Sequence, residues 1–317
     1  MVAYSYDPEL APIVPFLPSV DITNVAAARV SLYERVAQFS SSHDESSLDV
    51  QDYSIAGCEG DPAVAVRVFR PVRASGLAPA LLYIHGGGFV VGSVLAEQEN
   101  AVALVSTLGT VVVSVEYRLA PEHPFPAALH DCFAALNWLC QHANELGVDP
   151  ARVGVYGSSA GGGLAAALAL YCRDHAGPAL CFQFLAIPLL DDRLETDSMR
   201  TFIDTPGWNR PSAELSWAYY LGSAGSEDVS PYAAPARAKD LRNLPPAYIS
   251  TMEFDPLRDE GILYALALLD AGVSVELHSY PGTFHGSSTV MTAGVSRREV
   301  DEQMAVLRRA LGLAAST

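Results

Sequence analysis

The sequence has no excess of basic residues and no basic cluster. Its 317 residues include 36 Asp and Glu against 19 Lys and Arg, which gives a formal net charge of −17. Because a surface of this sign repels phosphates and anionic lipid headgroups, we expect neither a nucleic-acid partner nor a membrane partner. We interpret the acidity itself as a contribution to solubility.

Cysteine is scarce, and its spacing argues against two structural roles. The chain has five cysteines, an odd number, and no two of them form a C-x-x-C pair. This pattern is typical neither of a disulfide framework nor of a zinc site, so we expect small buried hydrophobes in a reducing compartment. We expect no metal and no cofactor.

Long hydrophobic runs are also absent. The longest, "AVALVSTLGTVVVSV" and "AGGGLAAALALYC", fall short of the roughly 20 residues that a bilayer span needs. The first residues, "MVAYSYDPEL", show no basic stretch followed by an apolar one, as a signal peptide would. These observations predict a cytoplasmic protein.

What the sequence does contain is a regular alternation of strands and helices from residue 46 onward. Predicted strands lie at 63–70, 78–85, 110–117, 152–157, 181–190, 246–252 and 273–280. Predicted helices lie near 97–108, 126–146, 161–173, 257–271 and 296–311. Nearly continuous apolar strands that alternate with helices indicate a sheet buried on both faces. We therefore predict an α/β fold with a mostly parallel sheet flanked by helices.

Two segments do not follow this alternation. Residues 1–45 include the helical pattern "NVAAARVSLYERVAQF", and residues 191–240 include the aromatic stretch "DTPGWNRPSAELSWAYYLG". A long excursion between two sheet strands is typical of a lid or binding element. The alternative is an ordinary surface excursion whose aromatic rings pack on the helices of the sheet.

The stretch "GSSAGG" places one of two adjacent serines in a recognisable pattern. Ser159 lies between Gly157 and Gly161, as G-x-S-x-G requires, whereas Ser158 does not. In that pattern the serine stands on a sharp turn from strand to helix, and the small residues let strand and helix approach closely. A predicted strand precedes Ser159 and a predicted helix follows it, so we take Ser159 as the candidate nucleophile.

A serine hydroxyl needs a base, and the base needs an acid that orients it. In this architecture they follow the serine in the order acid, then histidine. His285 lies in a glycine-flanked loop after the last predicted strand, whereas His278 lies within that strand. For the acid we favour Asp255, directly before Pro256, with Glu253 in reserve. The alternative acids Asp259 and Glu260 lie in the first turns of the next helix, where compensation of the helix dipole would explain them.

The stretch "YIHGGGFVVGS" supplies the remaining part of a hydrolytic site. Glycines after a strand expose backbone N–H groups that can hold an oxyanion, and the N–H of Ala160, after the nucleophile, adds another. By itself, "HGGG" would also suit a flexible loop or a phosphate cradle. It lacks the spacing of the known phosphate-binding loops, and no Lys follows it.

Taken together, these stretches resemble the hormone-sensitive-lipase-type branch of the α/β-hydrolase family, the bacterial carboxylesterases. The matching segments are "HGGGF" at 85–89, "YRLAPEHPFPAA" at 117–128, "GSSAGGGLA" at 157–165, "DPLRDEG" at 255–261 and "FHG" at 284–286. The resemblance implies an α/β-hydrolase fold with an eight-stranded, mostly parallel sheet in residues 46–190 and 241–317. It also implies a helical cap made of N-terminal helices in residues 1–45 and an insertion at 191–240.

The resemblance further implies an activity and a set of site residues. The activity is cofactor-free hydrolysis of short- to medium-chain acyl esters, small molecules, through an acyl-enzyme. Ser159 would be the nucleophile, Asp255 the acid and His285 the base. Gly87, Gly88 and Ala160 would form the oxyanion hole, with Gly86 as a further candidate.

Two positions depart from the family pattern. Ser158 stands where the family commonly has Asp, and Ser287 stands where it often has Phe. The first change lies outside the triad, so we expect the mechanism to be retained. The second opens space near the histidine.

Several assignments stay open at the level of sequence. The acyl or alcohol pocket, or else the core of the cap, would include the aromatic residues Phe89, Phe202, Trp208, Trp217, Tyr219 and Tyr220. The same parts would serve an amidase or arylformamidase, and some relatives with this fold are non-catalytic receptors that lack the histidine. The strand at 273–280 is expected at the sheet edge, where it could pair with a second copy in a homodimer.

Overall fold

The computed structural model describes residues 4–17, 21–39, 48–72, 76–222 and 228–314, and it contains one eight-stranded sheet. The strands are β1 (Leu48–Ile55), β2 (Val64–Pro71), β3 (Ala78–Ile84), β4 (Val111–Glu116), β5 (Val148–Ser158), β6 (Gln183–Ala186), β7 (Ala247–Phe254) and β8 (Val275–Phe284). Their order is β1-β2-β4-β3-β5-β6-β7-β8. The pairs β1–β2 and β2–β4 are antiparallel and the remaining pairs are parallel. The predicted fold class is confirmed.

Helices cover both faces of this sheet. They are α1 (Val25–Phe39), α2 (Gln98–Leu108), α3 (Ala127–Gln141), α4 (Ala143–Leu146), α5 (Ala160–Asp174), α6 (Asp197–Thr201), α7 (Arg210–Leu221), α8 (Arg258–Asp270) and α9 (Gly294–Ala310). Two large apolar clusters result, one containing residues of α3 and α5 and the other residues of α2 and α9. Strand β3 is buried along its whole length because both clusters cover it.

The structure differs from the predicted elements in several places, and among these β5 begins four residues before the strand predicted at 152–157 and β8 ends four residues after the strand predicted at 273–280. Strand β1 at 48–55 was not predicted, the strand predicted at 181–190 covers only Gln183–Ala186, and the helix predicted at 126–146 divides at His142. The residues after β6 leave the sheet because they pack under the turn at Ser159, where Leu189 N–H donates to the Ser159 carbonyl (3.0 Å).

The described parts of the two candidate cap segments contain helices. Residues 21–39 include α1, and residues 191–222 include α6 and α7; residues 1–3, 18–20, 40–45 and 223–227 of the two predicted segments lie outside the description. None of the helices in the described ranges has the length and apolarity that a membrane span would require. All five cysteines are free thiols and are buried or half-buried.

Candidate active site

The turn between β5 and α5 holds Ser159 in a strained conformation. Its φ of 56° and ψ of −121° lie in a region that L-residues rarely adopt. A Cβ on Gly157 would lie 2.0 Å from the Gly161 carbonyl oxygen, and one on Gly161 would lie 2.1 Å from the Ile84 carbonyl oxygen. Only glycine fits at both positions, which is the physical reason for the G-x-S-x-G spacing. The serine stands at the amino-terminal end of α5, where the helix dipole favours negative charge.

Three side chains from the carboxyl ends of three strands meet at this turn. The Ser159 hydroxyl lies 3.0 Å from His285 Nε2, and His285 Nδ1 lies 2.7 Å from Asp255 Oδ2. Because the carboxylate accepts from Nδ1–H, Nε2 is left as the acceptor for the serine proton. Ser159, Asp255 and His285 are 7%, 1% and 9% exposed. The arrangement can therefore transfer a proton from the hydroxyl to the imidazole in a site largely shielded from water.

The alternative acids and the alternative histidine have other partners. Glu253 Oε2 accepts from Gly282 N–H at 2.6 Å, and His278 lies within β8, where its Nε2 is 3.0 Å from Glu276. Asp259 accepts from Ser198 N–H (2.8 Å). Glu260 lies in the first turn of α8, as expected, but it is buried and accepts from Leu190 N–H at 2.7 Å. Burial raises the pKa of Glu260 well above its usual range.

The glycine loop after β3 lies beside the serine. A Cβ on Gly86 would be 3.5 Å from the Ser159 Cβ. The Gly86 N–H donates to Glu97 Oε1 at 3.0 Å. The N–H groups of Gly87, Gly88 and Ala160 donate to no other group in the described part of the chain. Those three donors are therefore available to bind a ligand.

Sequence comparison now places this geometry among known proteins. A family described as having the alpha/beta hydrolase fold matches residues 81–289. The chain belongs to this α/β-hydrolase family. It is 40% identical over 261 residues to "Carboxylesterase NlhH" of Mycobacterium tuberculosis, covering 80% of this chain and 81% of that protein. It is 38% identical over 277 residues to "Esterase LipI" of the same species, covering 86% and 84%.

A solved structure extends the comparison to nearly the whole α/β-hydrolase chain. The structure titled "Bacterial Heroin Esterase" superimposes with a TM-score of 0.94 at 51% identity, covering 97% of this chain and 98% of that one. These relatives carry names of esterases, and none of the three favours an amidase, an arylformamidase or a receptor.

Several residues around the α/β-hydrolase site were not anticipated from the sequence. The Ser216 hydroxyl donates to the Gly88 carbonyl (2.6 Å), and the Tyr117 hydroxyl donates to the His85 carbonyl (2.9 Å). A Cβ on Gly207 would lie 2.1 Å from the His285 carbonyl oxygen. Tyr117 begins the matching segment 117–128, and Gly207 and Ser216 lie in the aromatic stretch, but neither pattern assigned these residues a role. Only the fold brings these residues to the site.

The predicted aromatic residues fall into two groups. Phe89 stacks on Tyr220 with ring centroids 3.9 Å apart and contacts Trp217 at 5.5 Å, while Trp208 lies 6.1 Å from the His285 ring. Phe202 instead packs against Tyr4 and Phe254. Tyr219 is half-buried against the main core cluster. Their role in substrate binding remains a prediction.

The two departures from the family pattern differ in burial. Ser158 is half-buried, and its carbonyl oxygen would lie 3.1 Å from a Cβ on Gly86. Ser287 is fully buried just after His285, and its hydroxyl contacts the sulfur of Met252 at 4.0 Å. No group of three or more His, Cys, Asp or Glu in the described ranges could hold a metal ion.

Proposed function

We propose that this carboxylic ester hydrolase is a serine carboxylesterase in which Ser159 is the nucleophile, His285 the general base and acid, and Asp255 the residue that orients the histidine. The observation that carries the proposal is the continuous path from Ser159 Oγ through His285 to Asp255, with distances of 3.0 and 2.7 Å. The esterase names of the relatives support the same activity.

The proposed reaction has two halves. In the first, His285 Nε2 removes the proton of Ser159 while Oγ attacks the ester carbonyl, and the protonated histidine then donates that proton to the departing alcohol. In the second, water gives a proton to the histidine and its oxygen attacks the acyl-serine ester. Collapse releases the carboxylic acid, and the proton returns to Ser159.

We assign the oxyanion hole to the N–H groups of Gly87, Gly88 and Ala160. The support is that these three donors have no partner in the described chain, whereas the Gly86 N–H is bound to Glu97. Donors already oriented toward a developing oxyanion stabilise the transition state without reorganisation. Gly86 is therefore the weaker candidate of the four.

The proposed substrates are small esters with short- to medium-length acyl chains. Trp208 and Phe89 would border the acyl or alcohol group, since a Cβ on Gly88 would lie 2.5 Å from the Trp208 ring and Phe89 directly follows Gly88. Two α/β-hydrolase relatives are named carboxylesterase and heroin esterase, so aryl acetates belong among the first substrates to assay.

We propose that residues 1–45 and 191–240 form a cap over the catalytic domain of residues 46–190 and 241–317. The support is contact between the described parts of these segments and the loops of the site. Arg29 of α1 donates to the carbonyls of Val90 and Ala120, at 2.8 and 2.9 Å. Ser216 of α7 donates to the carbonyl of Gly88. Location in the cytoplasm stays a prediction; the free cysteines favour a reducing compartment.

The test is hydrolysis of p-nitrophenyl esters from acetate to palmitate by the wild type, Ser159→Ala and Ser158→Ala. We expect the highest rate on short to medium chains and a loss of at least about a thousandfold in kcat for Ser159→Ala. Ser158→Ala should keep activity of the same order as the wild type. An inactive Ser158→Ala beside an active Ser159→Ala would refute the assignment of the nucleophile.

A further inference from the structure

Glu97 has both carboxylate oxygens bound to the strand and loop that precede the oxyanion donors. It lies immediately before α2, where its backbone carbonyl accepts from Asn100 N–H (3.1 Å) and Ala101 N–H (3.3 Å). Its Oε1 accepts from Gly86 N–H at 3.0 Å, and its Oε2 accepts from the Tyr83 hydroxyl. The helix thus fixes the backbone of Glu97, and two donors fix its side chain.

Tyr83 gives the carboxylate a rigid anchor within the sheet. The Tyr83 side chain is only 2% exposed, and its ring stacks on Tyr156 with centroids 4.9 Å apart and planes 12° apart. Tyr156 stacks in turn on Phe184 at 4.5 Å. The Tyr83 hydroxyl also accepts from Asn100 Nδ2 at 3.3 Å. Because the Tyr83 side chain is fixed and binds Oε2 of Glu97, it also holds the other carboxylate oxygen, Oε1, in place against the Gly86 N–H.

The bond to Gly86 completes a set that orients three successive peptide units. The His85 carbonyl accepts from the Tyr117 hydroxyl (2.9 Å), and the Gly86 carbonyl accepts from His85 Nδ1–H (2.8 Å). The Gly87 carbonyl accepts from the N–H groups of the two valines that follow Phe89. In a planar trans peptide the N–H points opposite to the C=O of the same unit. Fixing these carbonyls therefore also fixes the directions of the Gly87 and Gly88 N–H groups.

The position of Glu97 would be unfavourable without such a role. A Cβ on Gly86 would lie 3.5 Å from both Glu97 Oε1 and the Ser159 Cβ, so the carboxylate and the nucleophile both lie beside Gly86. Negative charge near the site of a developing oxyanion raises the energy of the transition state. A carboxylate at this place needs a compensating contribution, and the hydrogen bond to Gly86 supplies one.

We propose that Glu97 is a positioning residue for the oxyanion hole, and this inference rests on the proposed serine esterase function. Through its bond to the Gly86 N–H, Glu97 holds the glycine loop so that the Gly87 and Gly88 N–H groups point at the carbonyl oxygen of the substrate. It contacts neither substrate nor nucleophile. Its effect is on the geometry of the donors, and a change at Glu97 therefore acts on the transition state more than on substrate binding.

The test compares Glu97→Ala, Glu97→Gln and Tyr83→Phe with the wild type on one p-nitrophenyl ester. We expect Glu97→Ala to lower kcat by about tenfold with little change in KM, as loss of one aligned hydrogen bond would. The inhibition constant of a trifluoromethyl ketone, which forms an oxyanion on Ser159, should rise by a similar factor. Glu97→Gln retains an acceptor for Gly86 N–H and should recover most of kcat, while Tyr83→Phe should show a smaller loss than Glu97→Ala.

The controls separate positioning from stability and from the proposed function. Glu99→Gln removes a carboxylate from an exposed position in the first turn of α2 and should leave kcat unchanged. Tm is measured for every variant, and Tyr83→Phe supplies the answer if Glu97→Ala does not fold. The proposal is overturned if folded Glu97→Ala, or in its place Tyr83→Phe, keeps wild-type kcat and ketone affinity, or if KM alone changes. An inactive wild type would instead refute the esterase function.

Discussion

Ser159 has a backbone conformation that costs free energy, and the surrounding residues show how the fold maintains it. Its N–H donates to the Ala186 carbonyl (2.8 Å), and its carbonyl accepts from both Gly163 and Leu189 N–H (3.0 Å each). These bonds come from β6, from α5 and from the segment after β6. A strained residue persists only when several such contacts determine its position. The orientation of Ser159 Oγ toward His285 thus depends on β6, on α5 and on the segment after β6, and not on the serine alone.

A second residue-scale feature is the buried carboxyl of Glu299 in α9. Its Oε1 accepts from Gln303 (2.9 Å), while its Oε2 has no hydrogen-bond partner within the described residues. The titratable groups that interact electrostatically with Glu299 are Glu302 on the same helix, Tyr156 on β5 and Tyr248 on β7. Burial raises the pKa of Glu299 from 4.5 to about 8.

This shift predicts a pH dependence of stability that Glu299→Gln should remove. The pKa of Glu299 is higher in the folded protein than in the unfolded chain. Its contribution to the free energy of unfolding is therefore complete at pH values below the unfolded-state pKa and is lost as the pH rises through the folded-state pKa. Relative to the wild type, Glu299→Gln should therefore gain on the order of 3 kcal/mol in unfolding free energy between about pH 5 and about pH 9. Urea unfolding at several pH values measures it. Asp301→Asn, at an exposed position of α9, should show no such gain, and a constant difference for Glu299→Gln would contradict the account.

At the scale of elements, α7 joins the insertion to the glycine loop. Ser216 is fully buried on this helix and donates to the Gly88 carbonyl at 2.6 Å. On the same helix Trp217 and Tyr220 contact the Phe89 ring. The position of α7 is therefore coupled to the loop in which we place the oxyanion donors.

Ser216→Ala tests this coupling. Removing the hydroxyl leaves the buried Gly88 carbonyl without a partner, which costs about 1–3 kcal/mol. We expect lower Tm and a kcat reduced by about threefold to tenfold, because the loop shifts to find another donor. Ser212→Ala, on the same helix but without a bond to the loop, is the control. Full kcat in Ser216→Ala would show that α7 does not position the loop.

The elements also show which parts of the fold the sequence could predict. Strands β3 and β4 are nearly continuous apolar runs buried on both faces, so their pattern was readable. Strand β1 was not predicted because it is an edge strand of mixed polarity. Its Asp49 and Asp52 lie opposite Arg70 and Arg67 of β2. Those ion pairs link β1 to β2, and the pattern of a single strand does not reveal them.

The same limit applies to the site. Gly157, Ser159 and Gly161 could be identified because a local turn dictates their spacing. Glu97 and Ser216 could not, because neither belongs to a motif with a fixed spacing: Glu97 bonds to Gly86 from 11 residues further along the chain, and Ser216 bonds to Gly88 from 128 residues further along. Residues that act through long-range hydrogen bonds need no fixed distance in sequence from the groups they support. Asp255 was distinguishable from Glu253 only by its place in the turn after β7.

At the scale of the whole molecule, the two edges of the sheet differ in chemistry. β1 presents charged side chains, whereas β8 lies at the opposite edge and carries the exposed Leu277. Helix α8, which precedes β8, exposes Leu263, Leu266 and Leu269 at a spacing of three residues. An edge strand beside exposed leucines can pair with a second copy about a two-fold axis. We propose that a homodimer forms through this edge.

The molar mass in solution tests the homodimer. Light scattering at micromolar concentration should give about twice the chain mass of 33.7 kDa. Leu266→Glu should shift the mass toward that of one chain because it places a charge in the apolar contact. Ser54→Glu, at an exposed position of β1 on the opposite edge, should leave the dimer intact. A wild type of single-chain mass would contradict the proposal.

Under the proposed mechanism, ester hydrolysis by the whole enzyme depends on one covalent step at Ser159. The most direct measurement is labelling by a serine-reactive phosphonate, followed by intact mass and peptide mapping. We predict one adduct for each chain, on Ser159, with ester hydrolysis lost in proportion to labelling. An adduct on Ser158, or ester hydrolysis that continues in fully labelled protein or without any label on Ser159, would contradict the account.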